Sequence, residues 1–347
     1  MVRKIFSKKT NKKNELARFF YNKDILVTGG CGSIGTEIVK QLIKFKPKRI
    51  RVFDNNESGL FYLQKKLNSS KIRILIGDIR DKDRLRLAVC GADIVFHAAA
   101  LKHVPLCEYN PFEAVNTNVI GTQNLLEVTR EEHVGKVVSI STDKAVNPIN
   151  TMGATKLLSE KLVMRAHIGD KCTTKFSCVR FGNVLNSVGS VIPIFKDQIK
   201  RGGPVTITSP KMLRFFMSMP EAVSLVLKAA QISKGQEIFI LKMQKIRILD
   251  LAEVLIEQFG PEFGYDPKEI KITNIGVRPG EKLDEQLVTI EEREWLLDFE
   301  NLSILRPPSN LPHYKKMHVK VDTVGNIDDH KLLSKDEIRS LIQRYDL

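Results

Sequence analysis

The chain has 347 residues, 42% of them apolar, and its 55 lysines and arginines outnumber 40 aspartates and glutamates to leave a net charge of +15. That length and apolar content suffice for a full α/β core with a second lobe and exclude a disordered chain. No stretch approaches the ~20 apolar residues that span a bilayer, and the basic N-terminus lacks a signal-peptide apolar segment. Five cysteines, Cys31, Cys90, Cys107, Cys172 and Cys178, are odd in number and have no metal-like spacing, which points to a reduced, cytoplasmic setting and to no metal site.

In chain order, residues 1 to 23 come first, with Arg3, Lys4, Lys8, Lys9, Lys12, Lys13, Arg18 and Lys23 against Glu15 alone. Such an arm is either drawn to an anionic membrane or nucleic acid, or is simply solvated and ends in a short helix near Leu16 to Phe20; the solvated arm is favoured. From Asp24 to Asp54 the pattern is strand, glycine turn, amphipathic helix, strand. The spacing Gly29-x-x-Gly32-x-x-Gly35 lets the backbone turn tightly, brings bare N–H groups to a pyrophosphate and packs helix on strand. A dinucleotide is expected there, against Gly29, Gly32, Ser33, Ile34 and Gly35. Asp54 ends the second strand where a carboxylate accepts hydrogen bonds from the adenosine ribose and repels a 2′-phosphate, so NAD is favoured over NADP; Asn55-Asn56-Glu57 follow, with no arginine to rescue the phosphate.

Glu57 to Asn68 reads as a helix and Ile72 to Ile76 as a strand, after which Asp78 and Ile79 fall where adenine would lie, although Asp78 also suits a plain turn. Leu85 to Val89 is helical, and Ile94-Val95-Phe96 is a buried strand closed by His97-Ala98-Ala99-Ala100, where Ala98 and Ala99 leave room for the centre of the cofactor. Phe112, Val115, Val119 and Leu126 recur at helical spacing, as do Leu157, Leu158, Lys161 and Leu162. Between them Lys136 to Ile140 is a strand leading into Ser141-Thr142-Asp143-Lys144. This alternation predicts an α/β fold with a Rossmann-type, doubly wound parallel sheet, whose ligands gather beyond the carboxyl ends of the strands. After Phe181 the pattern loosens into turns and short elements, including Val205 to Thr208, and Asp336 to Tyr345 reads as a last helix capped by Ser334. The expected division is a basic arm at 1–22, a dinucleotide-binding domain at 23–181 to which 214–246 returns, and a smaller C-terminal lobe from 182–213 and 247–347.

The segments Thr28 to Gly35, His97 to Pro105, Asn116 to Thr122, Ser141 to Ala145 and Met152 to Lys156 together resemble the extended short-chain dehydrogenase/reductases, and within them the UDP-N-acetylglucosamine 4,6-dehydratases. The resemblance runs from about Lys23 to Leu287. It implies C4 oxidation of the sugar by hydride transfer to bound NAD, loss of water across C5 and C6, and return of the hydride to C6. Asp143 would protonate the departing 6-hydroxyl and Lys144 would take the C5 proton, an acid beside a base as an elimination needs. Thr142, at the usual serine position, would help with the O4 proton, Lys156 would contact the nicotinamide ribose, and Asn116 would orient the active-site lysine. Lys102, Asn183, Val191, Thr206, Arg214, Arg278 and Glu281 would bind the nucleotide sugar, arginine being the apt fork for a diphosphate; His103 beside Lys102 stays open between contact and solvent.

One residue departs from the superfamily pattern. Met152 stands four residues before Lys156, where tyrosine ordinarily faces the nicotinamide, and a thioether has no proton to exchange. The wording from Pro148 to Lys156 resembles the dehydratases that retain C5 configuration. A C5-inverting dehydratase, one acting on another nucleotide such as a GDP sugar, and a nucleotide-sugar 4-epimerase are the alternatives, with a non-catalytic binder behind them. The helices from Pro111 and Thr151 would pair across a homodimer or larger homo-oligomer, with no nucleic-acid partner and no integral membrane segment.

Overall fold

The computed structural model describes residues 15–167, 172–187, 189–306 and 331–345, so the arm expected at the N-terminus is described only from residue 15 onward. Strands with no polar alternation are buried on both faces, as parallel strands between helical layers must be; all five residues from Asp24 to Thr28 are buried.

Six strands, β1 (Asp24–Thr28), β2 (Arg49–Asp54), β3 (Ile72–Ile76), β4 (Ile94–His97), β5 (Lys136–Thr142) and β6 (Lys175–Phe181), pair in parallel in the order 3-2-1-4-5-6. The chain then leaves this sheet for β7 (Asn183–Val184), β8 (Val205–Ile207) and β9 (Leu213–Met217), and returns as β10 (Glu237–Leu241), parallel to β6. It departs again through β11 (Gln244–Arg247) and β12 (Ile272–Asn274), then closes the sheet with an antiparallel hairpin, β13 (Leu296–Phe299) and β14 (Leu302–Leu305). Nine strands result, mostly parallel and flanked by helices, which is the doubly wound architecture read from the sequence.

The lobe boundary differs from the expected one at two places. Residues 296–305 were expected in the second lobe, but Ile238 pairs with Leu305 and Leu241 with Leu302, so this hairpin belongs to the large sheet. The physical reason is the β10 edge, five buried residues whose unpaired N–H and C=O groups the hairpin satisfies. Of 214–246, β10 and the helix Met219–Ile232 join the large sheet and its core, whereas β9 and β11 pair with each other, β9 also with β7, in a small separate sheet. The second lobe has its own apolar cluster, including Ile192, Phe195, Leu251, Leu255, Ile338 and Ile342. Its last helix, Lys335–Arg344, starts at a capping box between Ser334 and Glu337.

Two helices depart from their expected faces. The helical run from Pro111 widens into a π turn at Asn116–Ile120 before Gly121–Glu131. That turn rotates the register, so Asn116 is exposed and Asn118 is 1% exposed. In the helix Thr151–Arg165 the stripe Leu157, Leu158, Lys161 and Leu162 is only partly turned to the core of this chain: Leu162 packs on it half-buried, whereas Leu158 is 52% exposed and Lys161 is exposed. Met152, Thr155, Lys156, Ser159, Glu160 and Val163 face inward instead, a largely polar set kept there by buried hydrogen bonds. Glu160 takes two bonds from Arg180 (3.0 and 2.7 Å), and the Ser159 hydroxyl donates to the Thr155 carbonyl (2.8 Å).

Candidate active site

A cavity of about 850 Å³ opens beyond the carboxyl ends of the parallel strands, on either side of the point between β1 and β4 where the strand order reverses. Its walls carry the glycine turn after β1, Asp54 from β2, Asp78 and Ile79 after β3, Ala98, Ala99 and Lys102 after β4, and Thr142 and Lys144 after β5.

The three glycines serve different ends. A Cβ on Gly29, whose φ is +64°, would lie 2.5 Å from Ala99 N, and one on Gly35 would lie 2.2 Å from the Gly29 carbonyl, so both positions are fixed by backbone meeting backbone. A Cβ on Gly32 would meet only the Gly29 carbonyl, at 3.2 Å, and otherwise open space. That space lies at the start of the helix Ser33–Ile43, which carries no acid in its first turn. Open room over the free N–H groups of a helix start is what a pyrophosphate requires, so the residues present fit a dinucleotide. Asp54 is locked beside this turn, accepting from Cys31 N (3.1 Å) through one oxygen and from Asn56 N (3.0 Å) through the other. Burial, then the Asp54 carboxylate, pushes the Cys31 thiol up to about 12, so it packs as a neutral thiol. Asp78 is clamped by Arg80 from the side (2.7 and 3.0 Å) and by Asn55 (3.3 Å), and the Arg80 bonds hold it below the usual carboxylate range.

At the other end, Asp143 is 0% exposed and does not reach the cavity wall, whereas Thr142 and Lys144 do. Its Oδ1 accepts from the Thr142 hydroxyl and from Lys144 Nζ, both at 2.9 Å, while its Oδ2 has no hydrogen-bond partner. Proton exchange between Asp143 and the cavity therefore runs through Thr142 Oγ1 or Lys144 Nζ. Met152 lines the cavity with its thioether packed on Cys107 and Ala114. Lys156 donates to the Ile140 carbonyl (2.7 Å), and its burial lowers its pKa. Behind this floor, His97 bridges Thr28 Oγ1 (2.8 Å) and Thr122 Oγ1 (3.0 Å). The Thr122 hydroxyl spends its proton on the Asn118 carbonyl (2.6 Å), so His97 Nε2 donates to it and Nδ1 accepts from Thr28. Burial, with Lys156 nearby, depresses the His97 pKa to about 3 and keeps the ring neutral.

Of the substrate residues implied by resemblance, Lys102 and Asn183 line the cavity, and burial lowers the Lys102 pKa. The other five lie off its wall. Val191 opens the helix Val191–Lys200, and Thr206 exchanges two bonds with Gln198 (2.8 and 3.0 Å). Arg214 pairs with Glu281 (3.3 Å) and the Leu213 carbonyl (2.7 Å), while Glu281 also accepts from Arg278 N (3.3 Å). These last residues belong to a strap, residues 276–287, laid against the active-site helix. Asn150 caps that helix by accepting from Gly153 N (2.7 Å) and donates to the strap's Gly280 carbonyl (2.7 Å); Lys282 donates to the Val146 carbonyl (2.7 Å).

Ser141, Asn183 and Ser190 line the cavity, and each has a buried side-chain oxygen with no hydrogen-bond partner. The residues that follow carry no sequence signal of their own. Asn118, rather than Asn116, holds the floor, through Leu101 N (2.8 Å), the Leu101 carbonyl (3.0 Å) and Thr155 (3.0 Å). Glu285, 3% exposed, lies 3.7 Å from Lys144 Nζ. Among the described residues there is no cluster suited to a metal ion and no helix long and apolar enough to cross a membrane.

Known proteins resemble this chain in sequence and fold. The polysaccharide biosynthesis protein family matches residues 25–307. The chain is 57% identical to the uncharacterized membrane protein MJ1061 of Methanocaldococcus jannaschii, over 95% of this chain and 98% of that one. It is 40% identical to a UDP-N-acetylglucosamine 4,6-dehydratase (inverting) of Campylobacter jejuni (84% and 85% covered), and 39% identical to a UDP-glucose 4-epimerase of Rickettsia bellii (94% and 97%). It spans about half the length of CapD, a capsular polysaccharide biosynthesis protein of Staphylococcus aureus, at 43% identity over 92% of this chain and 53% of CapD. The crystal structure of Pen from Bacillus thuringiensis superposes with a TM-score of 0.87 at 42% identity, covering 94% of this chain and 98% of Pen. That of DesIV, a dTDP-glucose 4,6-dehydratase of Streptomyces venezuelae with NAD bound, gives 0.67 at 23%, covering 75% and 86%, a likeness of fold. The glycine cradle, the Asp54 stop and the Thr142–Lys144 turn thus sit in a chain that belongs to the polysaccharide biosynthesis protein family, within the NAD-dependent short-chain dehydrogenase/reductases that act as nucleotide-sugar dehydratases and epimerases.

Proposed function

We propose that this protein is a UDP-N-acetylglucosamine 4,6-dehydratase that keeps NAD bound through turnover. The observation that carries the reading is the hydrogen-bonded set Thr142, Asp143 and Lys144 at the cleft, with Met152 where a tyrosine would stand. When bound, NAD accepts a hydride from C4 and later returns it to C6. Gly29, Gly32, Ser33, Ile34 and Gly35 would hold its pyrophosphate, Asp54 its adenosine ribose, Asp78 and Ile79 its adenine, Ala98 and Ala99 would leave room for its centre, and Lys156 would contact the nicotinamide ribose.

The 4-ketone acidifies the C5 proton. One proton shifted along the 2.9 Å bond from Lys144 Nζ to Asp143 Oδ1 turns the ion pair into a neutral amine and a neutral acid, the two groups an elimination needs. Lys144 then takes the C5 proton. The Thr142 hydroxyl gives its proton to the leaving O6 and recovers one from Asp143, so water departs. The pair also takes up, through Thr142, the O4 proton released at C4 oxidation, and Lys144 returns a proton to C5 as C6 is reduced; over one turnover two protons enter the pair, two leave, and its charge is restored. Lys102 and Asn183 hold the substrate from the wall; Val191, Thr206, Arg214, Arg278 and Glu281 would join them only if Arg214 exchanged Glu281 for a diphosphate. The Pro148–Lys156 segment supports retention at C5, although the Campylobacter relative is named inverting. The exposed faces of the helices from Pro111 and Thr151, with Phe112 83% exposed, supply the homodimer contact.

The Rickettsia relatives support a second reading, 4-epimerisation. Both reactions release the O4 proton, which Met152 cannot accept, but 4-epimerisation leaves the Asp143–Lys144 pair without a task. Purified protein with UDP-N-acetylglucosamine in deuterated water, followed by NMR with no added cofactor, separates them. A 4-keto-6-deoxy product with deuterium at C5 supports dehydration, a galacto product epimerisation, and an unchanged sugar refutes both. Asp143→Asn and Lys144→Ala are expected to abolish elimination with NAD still bound.

A further inference from the structure

The Lys144 side chain faces charge from two lobes. From its own turn Asp143 Oδ1 stands 2.9 Å away, and from the strap Glu285 Oε1 stands 3.7 Å away. Glu285 is 3% exposed, and its second oxygen has no hydrogen-bond partner and lies 3.7 Å from Lys282 Nζ. Two carboxylates and two ammonium groups thus close a neutral group of four at the junction of the lobes. The remaining ionisable side chains on this end of the cavity are Lys156 from the active-site helix and Lys102 and His103 from the loop after β4. A buried carboxylate with a free oxygen is costly unless a neighbouring cation needs it. Here that cation is the group assigned to the C5 proton.

We propose that Glu285 is a positioning residue, contributed by the second lobe, that anchors Lys144 beside Asp143 and is itself held in place by Lys282. The role rests on the dehydratase reading above. Asp143 alone would fix Nζ from one side along a flexible four-carbon stem. Glu285 fixes it from the other. Lys282 stands 3.7 Å from the second Glu285 oxygen and is itself tied to the Val146 carbonyl, next to the catalytic turn. Moving the strap therefore alters where the amine sits.

Glu285→Gln and Lys282→Met holoenzymes are compared with wild type for kcat, KM and C5 deuterium incorporation, with bound NAD measured on each. Glu285→Gln is expected to lower kcat about tenfold from the loosened amine, while KM and bound NAD stay within twofold of wild type. Lys282→Met lowers kcat by a smaller factor in the same way. If wild type is active and Glu285→Gln keeps its kcat, or both variants lose rate only in step with lost NAD or a raised KM, Glu285 is a packing residue and the proposal is wrong. If wild type leaves the sugar unchanged, the dehydratase reading fails first and takes this role with it.

Discussion

Replacing Gly32 and Gly35 by alanine separates a glycine kept for the fold from one kept for the ligand. At Gly32 the backbone is extended, φ −68° and ψ 167°, a conformation alanine adopts freely, and its Cβ meets only the Gly29 carbonyl at 3.2 Å. The lost chain entropy of the unfolded state favours alanine by about 0.4–1 kcal/mol. The tight contact and the poorer helix start return a similar amount. Folding stability should change by no more than about 1 kcal/mol, a melting shift of about 3 °C or less. The methyl group, however, fills the room over the helix start, and bound NAD should weaken at least a hundredfold, about 2.7 kcal/mol. Gly35→Ala places Cβ 2.2 Å from the Gly29 carbonyl and 2.7 Å from Gly30 Cα, and backbone on both sides has nowhere to yield. Its cost is at least the 1–3 kcal/mol of core overpacking, visible as a lower melting temperature before any ligand is considered. Thermal melts read the first quantity, and enzymatic assay of NAD released from denatured protein reads the second. Gly32→Ala protein that still carries one NAD per chain would show that no pyrophosphate lies on this turn.

Asp54→Ala is expected to narrow the preference for NAD over NADP at least tenfold, read by titrating both cofactors into apoprotein. It should also loosen the Cys31 turn, whose N–H loses its acceptor. Arg180→Met leaves Glu160 and Glu292 facing each other without their shared cation and should cost about 3–5 kcal/mol in urea unfolding. Adding Glu160→Leu should recover part of that loss; a single variant as stable as wild type would mean the buried cluster contributes nothing.

The cofactor half of the cleft was legible because its signal is local. Strand, turn, helix and strand follow one another within Asp24 to Asp54, and Gly32 and Gly35 act on atoms a few residues away, while Gly30 meets Val52 within the same segment and Gly29 meets Ala99. Asn116 lies exposed for an equally local reason that spacing does not show: the π turn inserts extra rotation and brings Asn118 to the floor. The apolar stripe at Leu157 and Leu158 reads as a core face, but the inward face of that helix is polar and satisfied through Arg180 and Thr155, partners that only the fold brings near. The hairpin at Leu296 to Leu305 carries no mark of which sheet it joins, since only the exposed ladder of β10 decides it. Glu285 is one acid among several in a turn-rich segment, and its meaning lies wholly in a lysine from the other lobe.

Asn150 spends the two ends of one amide on two different tasks, closing the first turn of the Thr151–Arg165 helix with its oxygen and gripping the Gly280 carbonyl with its nitrogen. The peptide it grips cannot drift away without dragging on the turn that starts the helix bearing Met152 and Lys156. Asn150, alongside the Lys282 bond to the Val146 carbonyl, thus ties the second lobe's strap directly to the start of the helix that carries Met152 and Lys156.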